Sequence, residues 1–467
     1  MLNQFTLILP EIILLSIVMC MQLIAVFYKD CSRCIACWTV VALFALFTGL
    51  LYFVPEANIG FNNSFEISPI IYQYKALVLG LAVMSVVIYK NLTKISDIPL
   101  KIEFITLVLL STLGVFISIS ARDFLLLFCG LELSALSGYA LAAFNNKDVK
   151  SSEAGLKYFI LGALVSCLML LGVSFLYGFS GSIYFSDINL ALNDGTNNIG
   201  LVIGAIFVLA ALLFKLSAAP LHIWTPDVYE GSPISTVSFF AVAQKMGTLV
   251  ILINFIILVV GDYVKISVDL IKIVAILSIF IGALGAIMQT SLKRLMAYST
   301  ILNIGYVLIG VMLHTELGIY AALLYMFIYV VGAAGFFACL VALFGAKSDS
   351  ASFADLQGIA KGRKTIAAAI SILMFSMIGL PPLAGFFGKY YVFYNAIMQG
   401  EFLLALLGVL SSVIAAFYYL KVVKYMYFME SQEEMIIIPT NRGLLMVSVI
   451  SVGFTLFFFI FASSYLG

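Results

Sequence analysis

The chain has 467 residues, 63% of them hydrophobic and only 10% charged. Soluble domains carry about 25% charged residues, so the composition excludes a soluble globular domain. A formal net charge of +1, with no basic tail, offers no handle for nucleic acid.

The N-terminal stretch MLNQFTLILPEIILLSIVMCMQL lacks a basic n-region and holds Glu11 within its apolar run. It reads as a retained first span rather than a cleaved signal. The next feature, CSRCIAC, spaces Cys31, Cys34 and Cys37 as metal ligands often are. Cys37 already enters the second apolar run, and no fourth cysteine or histidine is near, so neither a metal nor a cluster is expected. Cys20, Cys129, Cys167 and Cys339 lie singly in apolar runs and read as packing residues.

Further runs follow to the end of the chain, each near the ~20 residues that cross a bilayer as a helix. They are continuous, unlike the short alternating segments of a β-barrel. The spans fall near 5–27, 35–54, 70–89, 102–120, 124–144, 154–177, 200–220, 234–259, 268–289, 294–313, 317–344, 365–398, 402–428 and 443–464. The seventh runs into LHIWTPDVYEGSP, where Pro220, Pro226 and Pro233 forbid one regular helix. The twelfth is overlong and holds GLPPLAGFFGKYYVF, with Pro381 and Pro382. The fold expected is an all-α polytopic membrane protein of about 14 transmembrane helices, with a lipid bilayer as its solvent.

Basic residues follow this map. Loops after odd-numbered spans hold most of them, among them Lys29, Arg33, Lys90, Lys94, Lys147, Lys293, Arg294 and Lys361, whereas loops after even-numbered spans hold Arg122, Lys265 and Lys272. By the positive-inside rule both termini are outside. The broken spans, seventh and twelfth, are five apart and so cross in opposite senses, as two inverted five-helix repeats would have them, with the functional site at the breaks. The expected division is 1–100 for helices 1–3, 101–262 for the first repeat (helices 4–8), 263–430 for the second (helices 9–13) and 431–467 for helix 14.

Few charges remain inside the spans: Lys75, Lys157, Lys215, Lys245 and Lys389, with Glu11 and Glu132 as carboxylates. A lysine at a helix centre costs about 2.5–3.5 kcal/mol on insertion scales, so it needs a partner or a purpose. Lys75 lies near a span end, where snorkelling is expected. Glu132, eight residues into its span, is about 12 Å deep. Lys215, Lys245 and Lys389 share that depth, and one carboxylate cannot neutralise three lysines.

Deep lysines suit proton transfer, because desolvation favours the neutral amine and a nearby carboxylate the ammonium. Broken helices add free backbone groups that hold water, and hinges. His222 and Asp227, after Lys215, are candidates for delivering protons from the inner face, with packing or capping as the equal alternative for His222. Lys157 has Glu153 at i−4, which favours a local ion pair. Lys293 and Arg294 read as a loop boundary, and the many tyrosines and phenylalanines as lipid-facing and packing surface. The sequence has no nucleotide-binding loop and no haem motif.

Glu132 in the fifth span, Lys215 before a proline break and Lys245 in the eighth, together with LHIWTPDVYEGSP, EAGLKYFILGA and LKRLMAYSTILNIGYV, resemble the antiporter-like subunits of respiratory complex I and the Mrp-type sodium/proton antiporters. The resemblance covers nearly the whole chain. A lysine in the twelfth span, Lys389, is the mark of the N-type branch, whose larger siblings carry glutamate there. The resemblance implies a proton channel driven by quinone reduction elsewhere in a multi-subunit enzyme of a bacterial or organellar inner membrane. Glu132, Lys215, Lys245 and Lys389 would transfer protons, with Lys157 and His222 auxiliary. This chain would carry no cofactor: NADH, flavin (FMN), iron–sulfur clusters and quinone would belong to partner subunits, and further antiporter-like subunits would be its neighbours. An Mrp-type cation/proton antiporter and a passive membrane scaffold remain as alternatives, and a ferredoxin-fed photosynthetic relative would show the same pattern.

Overall fold

In hydrocarbon every backbone polar group must find its partner within the segment, so long apolar runs become helices. A computed structural model describes residues 5–28, 31–53, 55–194, 198–261, 264–430 and 441–462. Lys29, both chain ends and the side chain of Lys265 lie outside the described residues. Among the described residues, 13 helices are long and apolar enough to cross a membrane. The remaining span is the broken twelfth, where Lys364–Ile378 and Ala384–Met398 have 15 residues each. Each is about 22 Å long, too short alone for a hydrocarbon core of about 30 Å. The chain is thus an all-α polytopic membrane protein.

The chain divides into two compact units. The first comprises Met1–Val86, Pro99–Leu216 and Ala243–Ser267. Its helices are α1 (Leu9–Phe27), α2 (Ser32–Tyr52), most of α3 (Pro69–Ile95), α4 (Ile102–Ser120), α5 (Phe124–Ala142), α6 (Val149–Ser180), α7 (Phe185–Asn193) and α8 (Ile199–Leu216). Asp123 and Asp148 start α5 and α6 by accepting from Leu126 N and Lys150 N at 2.7 and 3.0 Å, as N-caps do. A small antiparallel hairpin, β1 (Asn58–Gly60) with β2 (Phe65–Ile67), links α2 to α3 in the register Asn58↔Ile67. The all-helical reading missed it. Asn62 and Asn63 turn it at φ 54° and 68°, a conformation asparagine tolerates better than most residues.

Close approach in this unit depends on missing side chains. A Cβ on Gly114 of α4 would lie 2.5 Å from the Gly130 carbonyl oxygen of α5. Gly172 of α6 and Gly204 of α8 meet in the same way, each Cβ 2.8 Å from the other's carbonyl. Small residues of this kind let membrane helices pack backbone to backbone.

The second unit comprises Val87–Ile98, Ser217–Val242 and Val268–Gly467. It holds α9 (Trp224–Gly231), the start of α10 (Ile234–Val260), nearly all of α11 (Val264–Ile287), α12 (Leu292–Met312), α13 (Glu316–Phe344), α14 (Lys364–Ile378), α15 (Ala384–Met398), α16 (Phe402–Phe428) and α17 (Arg442–Ala462). The eighth span, α10, is not the regular helix expected. It contains π-helical stretches at Phe240–Gln244 and Ile256–Val260.

Two side-chain readings need correction. Cys20, Cys129 and Cys167 are exposed on the chain and only Cys339 is buried; a small apolar thiol is as well solvated by lipid as by a core. Lys75 does not snorkel. It is fully buried and paired with Glu11 at 2.6 Å, among the rings of Phe65, Tyr72 and Phe116. Lys293 and Arg294 do stand at a loop boundary, in the first turn of α12 after the Ser291 N-cap; Lys293 is nevertheless 2% exposed and donates to the Ser232 carbonyl at 2.8 Å.

Candidate functional site

The first unit brings three of the expected residues together. Glu132 projects from α5, which the Gly114–Gly130 contact fixes against α4. Ser166 of α6 donates to Glu132 Oε1 in a short hydrogen bond. Lys215 Nζ lies 3.9 Å from the same oxygen, within ion-pair range yet beyond direct hydrogen bonding. Lys245, 1% exposed, donates from Nζ to the Lys215 carbonyl at 2.9 Å.

The α8 break explains why that carbonyl is open. In an uninterrupted helix it would accept from the Ala219 N–H four residues on. The helix stops at Leu216, Ser217 takes a φ of 69°, and the Ala219 N–H donates to Ser278 Oγ at 2.8 Å. The π-helical stretch ending at Gln244 immediately precedes Lys245; its extra residue changes the angular phase of everything after it. Such insertions cluster at functional sites. Gln244 Nε2 donates to Ser111 Oγ at 3.0 Å, and Ser111 meets Ser134 Oγ at 2.9 Å.

The second unit builds a separate set around Lys389. Helix α14 ends at Ile378, with Gly379 at φ 94°. The Ile378 carbonyl finds no N–H four residues on, because that residue is Pro382. Lys389 Nζ donates to it at 2.9 Å and to Ser412 Oγ at 3.1 Å, 5.0 Å from the centre of the Tyr306 ring.

Around this ammonium lies a polar core that the sequence reading missed by assigning tyrosines to lipid and packing. Tyr306 bonds Ser411 and Ser412 at 3.0 and 3.1 Å. Tyr325 donates to Asn303, Tyr419 meets Ser299 at 2.6 Å, and Tyr329 meets Thr300 at 2.8 Å. A sequence signal was present: Ser299, Asn303 and Tyr306 recur at three- and four-residue intervals within LKRLMAYSTILNIGYV, one face of a helix. That face is polar in a helix buried along its length.

Lys157 is 43% exposed and pairs with Glu153 at 2.8 Å. His222 follows Pro220 in the α8–α9 connection; burial pushes its imidazole below the ordinary histidine range, against the opposing effect of its hydrogen bond to the Pro220 carbonyl. Asp227 is paired with Arg294 at 3.3 Å, as is Glu230 at 2.7 Å. Among the described residues no group of three or more His, Cys, Asp or Glu is placed to hold a metal.

Comparisons with known proteins agree with this architecture. A family model described as NADH:quinone oxidoreductase/Mrp antiporter, transmembrane, matches residues 121–415. NADH-quinone oxidoreductase subunit N of Rickettsia bellii is 54% identical over 452 residues, 96% of this chain and 98% of that protein. The subunit N of Parvibaculum lavamentivorans is 41% identical over 454 residues, covering 97% and 94%. A chain of respiratory complex I from Thermus thermophilus superposes with a TM-score of 0.80 at 26% identity, over 96% of this chain and 97% of that one. A chain of the Mrp complex from a Dietzia species shares the fold, with a TM-score of 0.81 at 17% identity over 98% and 96%. The chain therefore belongs to the NADH:quinone oxidoreductase/Mrp antiporter family of membrane subunits, among the subunits N of respiratory complex I.

Proposed function

We propose that this chain translocates protons within a redox-driven NADH:quinone oxidoreductase, with Glu132, Lys215, Lys245 and Lys389 as the transferring groups and Lys157 and His222 auxiliary. The observation that carries this reading is how Lys389 is held. Among the described residues no carboxylate pairs with it; a main-chain carbonyl and a serine hydroxyl take its hydrogens. Lys75, by contrast, contacts the Glu11 carboxylate directly, the kind of partner that favours the ammonium. Neutral acceptors stabilise an ammonium far less than a carboxylate does, so Lys389 can exchange its proton. The 3.9 Å between Lys215 and Glu132 is a gap that one bridging water fills.

In this reading the repeats are 101–262 and 263–430, flanked by 1–100 and 431–467. Both termini face the outer side of a bacterial or organellar inner membrane. Pro220, Pro381 and Pro382 make the breaks at which lysines find open carbonyls. NADH, FMN, iron–sulfur clusters and quinone reside on partner subunits, which include further antiporter-like chains. Sodium transport is disfavoured, because sodium takes oxygen ligands and three of these four centres are lysines.

The test is Lys215→Met in the assembled oxidoreductase, reconstituted in proteoliposomes. Normal assembly with reduced proton uptake and turnover is expected. Wild-type pumping would support a scaffold role, and sodium-dependent proton flux an antiporter.

A further inference from the structure

The row of hydroxyls beside Lys389 has a direction. Lys389 Nζ donates to Ser412 Oγ, and Ser412 donates to the Tyr306 hydroxyl, both at 3.1 Å. Tyr306 and Ser411 share a 3.0 Å contact. Ser411 has a single hydrogen, and it is committed to the Gly408 carbonyl at 2.8 Å. Tyr306 must therefore be the donor to Ser411, and every hydrogen in the row points away from the lysine. Tyr306 and Ser411 are fully buried, so no bulk water competes for these bonds.

We infer that Ser412 and Tyr306 are positioning residues for Lys389, a hydroxyl row whose direction follows the charge of the lysine. This rests on the reading of Lys389 as a proton-transferring group. With the ammonium present, the row runs outward and Ser412 offers it a lone pair. With the neutral amine, Nζ is an acceptor: Ser412 turns its hydrogen toward it, Tyr306 turns toward Ser412, and Ser411 leaves the Gly408 carbonyl to donate to Tyr306. Only hydroxyl hydrogens rotate, and no net proton passes along the row. Both charge states are thereby hydrogen-bonded in a site that would otherwise leave one of them unsatisfied. The titratable groups that couple to this row are phenols: Tyr306 on α12, Tyr325 and Tyr329 on α13, and Tyr418 and Tyr419 on α16. The carboxylate of these helices, Glu316, is the first residue of α13; their basic residues are Lys293 and Arg294 in the first turn of α12 and Lys421 and Lys424 in the last two turns of α16. Among the described residues no carboxylate pairs with Lys389 to hold it in one state.

The experiment compares pH profiles of quinone-linked turnover and proton uptake for the assembled oxidoreductase carrying Ser412→Ala, Ser412→Thr, Tyr306→Phe or Lys389→Met. Ser412→Ala removes an acceptor from the ammonium and should move the alkaline limb to lower pH by about one unit. Tyr306→Phe keeps the ring and should give a smaller shift in the same direction. Ser412→Thr keeps the hydroxyl and should restore the wild-type profile. Wild-type profiles for both Ser412→Ala and Tyr306→Phe, with pumping lost in Lys389→Met, would overturn this inference alone. Intact pumping in Lys389→Met would overturn the underlying reading and this inference with it. Should Ser412→Ala fail to assemble, Tyr306→Phe decides, because it leaves the volume of the core unchanged.

Discussion

The ammonium of Lys389 rests on the carbonyl of Ile378, 2.9 Å away and eleven residues earlier. The same relationship holds between Lys245 and the carbonyl of Lys215 in the first unit. In each case a helix ends, a carbonyl loses the N–H that would have closed its ring, and a lysine takes that place. An open carbonyl in hydrocarbon is costly and so is an open ammonium; each offsets the other. At Ile378 the proline thus does more than loosen the helix, since Pro382 has no N–H to offer and so creates the acceptor; at Lys215 the diversion of the Ala219 N–H to Ser278 does the same.

This relationship separates two substitutions at position 389. Lys389→Met removes the donor and should lower proton uptake about a hundredfold or more, in the range of a lost proton-transfer group, with assembly intact. Lys389→Glu places a carboxylate where the Ile378 carbonyl and Ser412 now accept, so two acceptors would face each other. It should not rescue Lys389→Met, although glutamate is an ionisable group of the kind expected in sibling subunits. Proton uptake in proteoliposomes, normalised to assembled complex, decides. Recovery by glutamate would show that charge exchange alone, without the carbonyl contact, suffices.

The diversion of the Ala219 N–H gives a second prediction. Ser278 Oγ is its acceptor at 2.8 Å, and both groups are fully buried. Ser278→Ala leaves that N–H without a partner and should cost about 1–3 kcal/mol. Thermal unfolding in detergent should show a lower Tm, and Ser278→Thr should recover most of it. An unchanged Tm for Ser278→Ala would mean that the N–H finds another acceptor.

Much of this was legible beforehand, for a physical reason. Helix boundaries follow hydrophobic length and proline position, both local properties, and so the expected span 317–344 is met by Glu316–Phe344. The Glu132–Lys215 proximity was legible because a lone deep carboxylate has few cationic choices. What stayed hidden depends on angular phase and distant partners. The π-helical residues before Lys245 leave no local signature, since FAVAQ would pass for ordinary helix. Lys75 looked like a snorkelling residue because its partner, Glu11, is in another helix. The tyrosines were misassigned because a phenol buried against Asn303 and one facing lipid look alike in sequence.

His222 supplies a pH prediction outside the spans. Its folded-state value is depressed, by burial first and despite the Pro220 hydrogen bond, from an ordinary value near 6.5. The unfolded chain therefore binds a proton more readily than the folded one. The contribution to stability is fully present above about pH 6.5 and is lost as pH falls through the lower folded-state value. His314, depressed by burial as well, acts in the same sense. His222→Gln should match wild type in Tm above pH 7 and lose less stability than wild type between pH 6.5 and 5. An identical decline in both proteins would mean that His222 titrates normally.

The Glu11–Lys75 pair offers the sharpest thermodynamic test. It sits in a ring cage with Lys75 at 0% side-chain exposure and Glu11 at 8%. Removing either partner strands a charge in an apolar site. Lys75→Met or Glu11→Leu alone should therefore cost about 3–5 kcal/mol, because breaking a buried pair leaves an uncompensated ion. Removing both leaves no stranded charge, and the double variant should be far less destabilised than the sum of the singles. Denaturant or thermal unfolding of all four proteins gives the coupling directly. Additive losses would show that each residue acts through packing alone. Strong coupling would show that the carboxylate of Glu11 holds Lys75 in place, the contrast against which the carboxylate-free contacts of Lys389 can be read.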